Sequence, residues 1–160
     1  MKKYFKLKNI LISLLVIFII IQFIRPGKNL GVAFGPNDIT NTVNVPENVK
    51  NILVTSCFDC HSNKTNHMWY ENIQPIGWWI RNHLKEGKSE LNFSEFNTYK
   101  DKRKAHKFEE IGEMVSEKEM PMSSYTLIHG DAKLSEEQIQ LVISWAASGQ
   151  QRFKQVEEDD

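Results

Sequence analysis

The sequence predicts an all-α fold, and three observations lead to this prediction. Apolar residues recur at helical spacing in four segments after position 45. Residues typical of helix starts and helix ends lie at the borders of these segments. No segment shows the apolar–polar alternation of a half-buried strand. With 160 residues, the chain is long enough for one domain with its own hydrophobic core.

The first part of the chain is basic and leads into an apolar run. Residues 1–9 carry four lysines, and residues 10–24 are apolar apart from Ser13 and Gln22. A membrane span needs about 20 residues, and the h-region of a signal peptide needs fewer. Because no well-placed cleavage site follows the run, we expect 10–24 to be an uncleaved signal-anchor that forms a transmembrane helix.

The formal net charge of zero conceals a strong asymmetry along the chain. All 20 acidic residues follow position 37, whereas six of the 20 basic residues precede position 29. The positive-inside rule then predicts a basic tip in the cytoplasm, a single pass through the inner membrane and a body in the periplasm. An acidic body argues against nucleic acid as a partner, and the basic run Lys100–Lys107 is expected to be a solvated helix face.

Residues 25–44 are expected to be a linker, since proline and glycine recur there without a periodic pattern. A folded domain over 45–150 and a charged tail over 151–160 follow. Four helices are predicted in the domain: one from Pro46 to position 57, one over 77–86 that stops at Gly87, one over about 101–118, and one from Ser135 to Gly149. The expected core positions are Val49, Ile52, Leu53, Trp79, Ile80, His83, Leu84, Ala105, Phe108, Ile111, Val115, Ile139, Val142, Ile143 and Ala146.

The only two cysteines of the chain lie in one motif, Cys57-Phe58-Asp59-Cys60-His61. C-x-x-C-H is the attachment signature of c-type haem, in which two thiols capture two vinyl groups and the histidine binds the iron. A helical turn would bring both sulfurs to one edge of the ring. A zinc site would need further ligands, and a thioredoxin-like pair would leave the histidine unexplained. The motif therefore predicts one covalently attached haem c with His61 as the proximal iron ligand.

The other face of the iron needs a second axial ligand. Met120-Pro121-Met122 lies before the last predicted helix, as the methionine ligand does in class I cytochromes c, so the domain resembles that class. A thioether is soft and neutral, which suits iron in a closed site. The Met-Pro order common in such cytochromes favours Met120, and Met122 and His129 stay open as alternatives. Met114 and His83 are expected to pack, and His106 to be solvated.

Two further residues are expected to contact the haem or its histidine. Pro75 is placed like the proline whose carbonyl orients the axial histidine in class I cytochromes c. Trp79 belongs to an aromatic group after the motif, with Trp69, Tyr70 and Trp78, and is expected to line the ring edge. Arg81 is a candidate partner for a haem propionate.

From about 40 to 150 the chain resembles the bacterial haem-binding domain proteins common in Bacteroidetes, which are related to c-type cytochromes. The resemblance implies covalent haem c held by Cys57, Cys60 and His61, and it supports Met120 over Met122. The family often has proline where this chain has Gly130. The matching stretches are Cys57–Asn63, Trp69-Tyr70, Glu86–Ser94, Glu119–Tyr125, His129–Ser135 and Trp145, with Ile21–Pro26 before the linker.

These observations predict a membrane-anchored monohaem c-type cytochrome that carries single electrons outside the cytoplasmic membrane, with His/Met ligation. Its redox partners would be other proteins. The alternatives are a haem-based sensor or ligand-binding module with an open or labile sixth site, and a peroxidase-like enzyme. Because no catalytic constellation lies beyond the haem motif, we expect an electron carrier rather than an enzyme.

Overall fold

The computed structural model describes residues 2–159 of the chain, and the side chains of residues 6–156. The all-α prediction is confirmed, since the described residues form helices and only one isolated β-bridge, between Leu30 and Lys64. Three short 3₁₀ helices lie at Trp69–Asn72, Phe93–Thr98 and Gly130–Ala132. The α-helices are α1 (Lys2–Ile21), α2 (Ile39–Thr42), α3 (Glu47–Ser56), α4 (Phe58–His61), α5 (Ile76–Glu90), α6 (Asp101–Ser116), α7 (Ser123–Thr126) and α8 (Glu136–Asp159).

The core is built mainly where α6 packs against α8. Phe108 of α6 is fully buried, and its ring centroid lies 5.2 Å from that of Trp145 and 6.0 Å from that of Phe153, both on α8. The 3₁₀ helix before α6 adds Phe96 to the same cluster. Most expected core positions are confirmed as buried, namely Val49, Ile52, Leu53, Leu84, Ala105, Phe108, Ile111, Val115, Ile139, Val142 and Ala146.

Two glycines that were expected to end helices lie inside them. Helix α5 continues through Gly87 to Glu90, and α8 continues through Gly149 to Asp159. A Cβ atom on Gly149 would lie 2.6 Å from the ring of Phe108, so this glycine permits close packing of two helices. The tail expected after 150 is therefore helical, and its Phe153 belongs to the core. The start of α8 is confirmed, because Ser135 and Gln138 make both hydrogen bonds of a capping box.

Residues 22–43, which we call the wrapping segment, lie against the domain instead of forming a free linker. Asp38 and Ile39 are fully buried, and Asp38 caps α2 by accepting a hydrogen bond from the backbone of Thr40. The carbonyl of Ala33 accepts from the hydroxyl of Ser94 at 2.6 Å. Glycine and proline thus mark an irregular path across the surface, and the polar backbone along that path is paired with the domain.

The predicted membrane anchor over 10–24 is wrong. Among the residues that the structure describes, none of the helices has both the length and the apolarity that crossing a bilayer demands. Helix α1 begins among lysines and ends at Ile21, so its apolar part, from Ile10, covers about 18 Å of a bilayer core about 30 Å thick. The predicted single-pass placement in the inner membrane, with the domain in the periplasm, loses its basis with the anchor.

Candidate functional site

The C-x-x-C-H motif forms one tight helical turn. Cys57 lies between α3 and α4, where its carbonyl accepts hydrogen bonds from the backbone N–H groups of Cys60 at 3.2 Å and of His61 at 3.0 Å. Both thiols are free. Phe58, inside the motif, is buried and stacks on Phe93 at a centroid distance of 5.1 Å. The turn that the motif predicted is therefore present, and it is anchored in the core by the residue between the two cysteines.

The imidazole of His61 is oriented by two backbone carbonyls. Its Nδ1 lies 3.0 Å from the carbonyl oxygen of Gly87 and 3.0 Å from that of Leu91. Since both partners are acceptors, Nδ1 carries the proton, and Nε2 is left with a free lone pair. Burial lowers the pKa of His61 and outweighs the two hydrogen bonds, which act in the opposite direction. The ring is therefore held as a neutral imidazole, the form that binds a metal.

A largely apolar cavity of about 300 Å³ opens beside this histidine. Cys57, His61 and Met120 all line it, although Met120 lies far from the other two in the sequence. Such a concave apolar site with a few polar groups is typical of cofactor binding. The other lining residues are Leu53, Ser56, Glu90, Leu91, Phe93, Glu110, Ile111, Met114, Val115, Pro121 and Val142.

Two carboxylates line this cavity, and a buried lysine outside its lining pairs with both. Glu90 and Glu110 line it, and the ammonium group of Lys107 lies 3.7 Å from Glu90 and 2.5 Å from Glu110. Lys107 is only 7 % exposed, so the basic run 100–107 is not a purely solvated face. Lys104 is buried too, over the ring of Phe153, whereas His106 is exposed as expected.

Both thiols are protonated in the folded chain at neutral pH. Burial raises the pKa of Cys57 to about 12, and the charge of a Cys60 thiolate would raise it further. Burial also raises the pKa of Cys60, to about 11, with additional contributions from the charges of Asp59 and Glu71. Cys60 lines a second cavity, of about 60 Å³, together with Tyr125 and His129.

The three candidates for the second axial position are separated by the fold. Met120 shares the large cavity with His61, whereas Met122 and His129 are not among the residues that line it. His129 instead lies with its Nε2 2.7 Å from the hydroxyl of Tyr70 and stacks on the ring of Tyr125. Met114, which was expected only to pack, also lines the large cavity, from α6. Ligation by Met120 stays a prediction, with Met114 as a further thioether to test.

The roles expected of Pro75 and Trp79 are corrected by the structure. The carbonyls that orient His61 belong to Gly87 and Leu91, while the carbonyl of Pro75 accepts from the backbone of Trp78 and Trp79 at the start of α5. Trp79 is 51 % exposed and is not among the residues that line the cavity. The helical spacing of Trp79, Ile80, His83 and Leu84 predicted burial of all four, but only Leu84 is buried, and Trp79 faces solvent.

Arg81 lies in a buried polar cluster and not at the large cavity. Its guanidinium lies 3.6 Å from the carboxylate of Glu71, which also contacts Nδ1 of His67 at 2.6 Å. His67 is not among the residues that line the large cavity. Arg81 is not among the residues that line the large cavity, so its expected role beside a propionate gains no support.

Sequence reasoning missed three features of the site. The orienting carbonyls of Gly87 and Leu91 carry no side-chain signal, and Lys107 was hidden in a run that looked solvated. Tyr125 was noticed only as part of a matching stretch, yet its hydroxyl donates to Asp59 at 2.9 Å. Only the long-range fold brings these groups to the motif.

The residues around the cavity fit a haem. Cys57 lines this mostly apolar cavity together with the imidazole of His61 and the thioether of Met120. Cys60 lies one helical turn from Cys57 and lines the small cavity. Soft sulfur and imidazole are ligands that suit iron.

Comparison with known proteins agrees with this fit. The family model described as a haem-binding domain matches residues 16–148, which is well over half of the chain. No curated protein and no solved structure matches the chain.

Proposed function

Because this chain belongs to the haem-binding domain family, which makes it a haem protein, we propose that it is a monohaem c-type cytochrome that carries single electrons. The observation that supports this proposal is the meeting of Cys57, His61 and Met120 at one apolar cavity. Bound there, the haem would supply one iron that alternates between two oxidation states. The chain's own residues would attach it, orient it and keep water away.

Cys57 and Cys60 would hold the group covalently, each through a thioether. Both cysteines lie on one helical turn, which is closed by the hydrogen bonds to the carbonyl of Cys57. Covalent attachment makes retention of the cofactor independent of the strength of the axial bonds. It thereby allows a weak thioether to serve as an axial ligand.

His61 and Met120, which line the same cavity, would be the two protein ligands of the iron. His61 presents a neutral Nε2 because two carbonyls hold the proton on Nδ1. A methionine opposite a histidine raises the reduction potential relative to two histidines. If both ligands stay bound in both oxidation states, little rearrangement accompanies electron transfer, and this property suits a carrier. The apolar walls, among them Leu53, Phe93 and Val142, would exclude water from the iron.

The proposal is tested by visible absorption of the purified full chain and by a pyridine haemochrome assay. Covalent haem c gives a haemochrome that stays with the protein after acid–organic extraction. We expect a six-coordinate low-spin spectrum in the reduced protein and the weak near-infrared band of methionine–iron ligation in the oxidised protein. A high-spin ferrous spectrum with immediate CO binding would instead identify a sensor or an enzyme with an open sixth site.

Alanine substitution of three methionines tests the ligand assignment. Met120→Ala should abolish the near-infrared band, because it removes the thioether that shares the cavity with His61. Met122→Ala should leave the band, since Met122 is not among the residues that line this cavity. Met114→Ala is the matched control inside the cavity and should also leave the band. Loss of the band in Met114→Ala or Met122→Ala alone would overturn the assignment.

A further inference from the structure

A long-range hydrogen bond connects the turn of residues 57–61, which we call the attachment turn, to the segment 119–129 that carries Met120. The hydroxyl of Tyr125, on α7, donates to Oδ2 of Asp59 at 2.9 Å, across 66 positions of the sequence. Asp59 lies between the two cysteines of the motif. Its other carboxylate oxygen accepts from the backbone of Asn66 at 2.9 Å, and its carbonyl accepts from Thr65 at 2.7 Å. The carboxylate of Asp59 is therefore held in place by bonds that do not involve Tyr125.

A second contact supports the first. The hydroxyl of Tyr70 lies 2.7 Å from Nε2 of His129, and the imidazole of His129 stacks on the ring of Tyr125 at a centroid distance of 4.3 Å. Asp59, Tyr70, Tyr125 and His129 thus form one continuous cluster, which we call the loop clamp. All four residues line the small cavity beside Cys60.

The segment that carries Met120 is hydrogen-bonded to the rest of the domain at two places. At its start, the backbone N–H groups of Glu119 and Met120 donate to the carbonyl of Met114 at the end of α6. Along residues 120–129, the described hydrogen bonds of side chains to other parts of the domain are those of Tyr125 and His129. The remaining bonds of this segment are local, such as that from the N–H of Tyr125 to the carbonyl of Met122. Met120 therefore lies between two anchored points, the end of α6 and the loop clamp.

We propose that Tyr125 is a positioning residue which, by bonding Asp59, holds Met120 at the open face of the iron. This inference rests on the proposed function, since it presumes that Met120 binds iron. An iron–thioether bond is weak, so the segment that carries the sulfur must be restrained from outside. The attachment motif thereby holds both faces of the site: His61 supplies one ligand, and Asp59 restrains the segment that supplies the other.

The test uses the full-length haem-loaded protein with Tyr125→Phe, which removes only the hydroxyl. We expect a weaker near-infrared methionine–iron band and CO binding to the ferrous protein about fivefold faster, the factor that corresponds to the net contribution of one hydrogen bond. Hydrogen exchange of the backbone amides of 123–129 should also accelerate, while that of α6 and α8 stays as in the wild type. This last measurement does not depend on the iron.

Two further variants separate positioning from general destabilisation. Thr40→Val is the matched control: it removes a hydroxyl that donates to the carboxylate of Asp38 at 2.6 Å, and neither residue is part of the loop clamp or lines the large cavity. This control should keep the wild-type band and CO rate. Asp59→Ala should have at least the effect of Tyr125→Phe, since it also removes the bond from the backbone of Asn66. Adding Tyr125→Phe to Asp59→Ala should change nothing further, because the bond between the two residues is then already absent.

The outcomes distinguish this inference from the proposed function. A wild-type protein without the band would overturn ligation by Met120, and the positioning role with it. A wild-type band that persists unchanged in Tyr125→Phe, with an unchanged CO rate, would overturn only the positioning role. Equal effects of Thr40→Val and Tyr125→Phe would also overturn it, since stability alone would then explain the loss.

Discussion

Gly87 shows how closely single residues are matched around the attachment turn. A Cβ atom at this position would lie 3.1 Å from the carbonyl oxygen of Cys60 and 3.5 Å from Cε1 of His61. The carbonyl of Gly87 meanwhile accepts a hydrogen bond from His61. A glycine inside a helix costs up to about 1 kcal/mol relative to alanine, so its presence in α5 needs a reason. The reason is the close approach of α5 to the turn that holds His61.

The ionisation of Tyr125 gives a prediction at the same scale. Burial, followed by the negative charge of Asp59, raises the pKa of Tyr125 above its usual value of 10. The unfolded chain therefore loses this proton near pH 10, while the folded chain keeps it. The resulting contribution to stability is fully present below about pH 10 and is lost as the pH rises further.

We expect the free energy of unfolding to fall more steeply above about pH 10 in the wild type than in Tyr125→Phe. Urea unfolding of the haem-loaded protein at several pH values between about 8 and 11.5 measures both slopes. Only the slopes are compared, because the variant also loses a hydrogen bond at every pH. Parallel curves for the two proteins would contradict the assigned shift.

At the scale of elements, helices α6 and α8 each carry a glycine that faces the other helix, and the two glycines differ in their surroundings. Gly149 of α8 faces the ring of Phe108 so closely that a Cβ atom would lie 2.6 Å from it. Phe108 is fully buried among Phe96, Trp145 and Phe153, so its ring has no room to move away. Gly112 of α6 has Ala146 as its nearest neighbour, with 3.8 Å to a Cβ atom placed there.

These two glycines make a matched pair of alanine substitutions. Gly149→Ala should destabilise the domain by about 1–3 kcal/mol, because it overpacks the core. Gly112→Ala should be neutral or stabilising by up to about 1 kcal/mol, since it gains helix propensity without a clash. Thermal unfolding followed by circular dichroism measures both. Similar effects of the two substitutions would show that the close approach of α8 to Phe108 is not rigid.

At the scale of the whole molecule, the wrapping segment is hydrogen-bonded to residues that follow the attachment turn. The amide of Gln22 makes two hydrogen bonds with the backbone of Gln74, at 3.1 Å and 2.9 Å. Further along, Gly31 donates to the carbonyl of Asn63 at 2.8 Å, just after the motif. Ile39 then fills the core with no exposed surface. The folded unit therefore begins before position 45.

Truncation tests this extent of the folded unit. A chain that begins at residue 45 should be less stable than one that begins at residue 22 by about 2 kcal/mol or more, because it loses the burial of Ile39 and Val43. The comparison uses haem-loaded proteins and urea unfolding, with the full chain as the reference. Equal stability of the two truncated chains would show that the segment is a dispensable linker.

The parts of the fold that follow from local pattern were predictable. The stripe Ala105, Phe108, Ile111 and Val115 is buried as its spacing indicated, and the Ser135 capping box begins α8. Features that depend on a distant neighbour were not: Gly149 looked like a helix end because the ring of Phe108 is invisible in the local sequence. The apolar run before position 25 predicted a membrane span because hydropathy alone does not show where a helix ends. Helix α1 ends at Ile21, before the apolar run does.

The haem that the C-x-x-C-H motif predicts could be recognised from five consecutive residues, because the spacing of two thiols and an imidazole on one helical turn depends on little else. The surroundings of that motif depend on contacts between distant parts of the chain. His61 is oriented by a carbonyl 30 positions away, and Asp59 is bonded by a tyrosine 66 positions away. Which methionine shares a cavity with His61 likewise depends on how α6 and the segment after it pack. Local spacing specifies reactive groups, and only tertiary packing can specify what faces them.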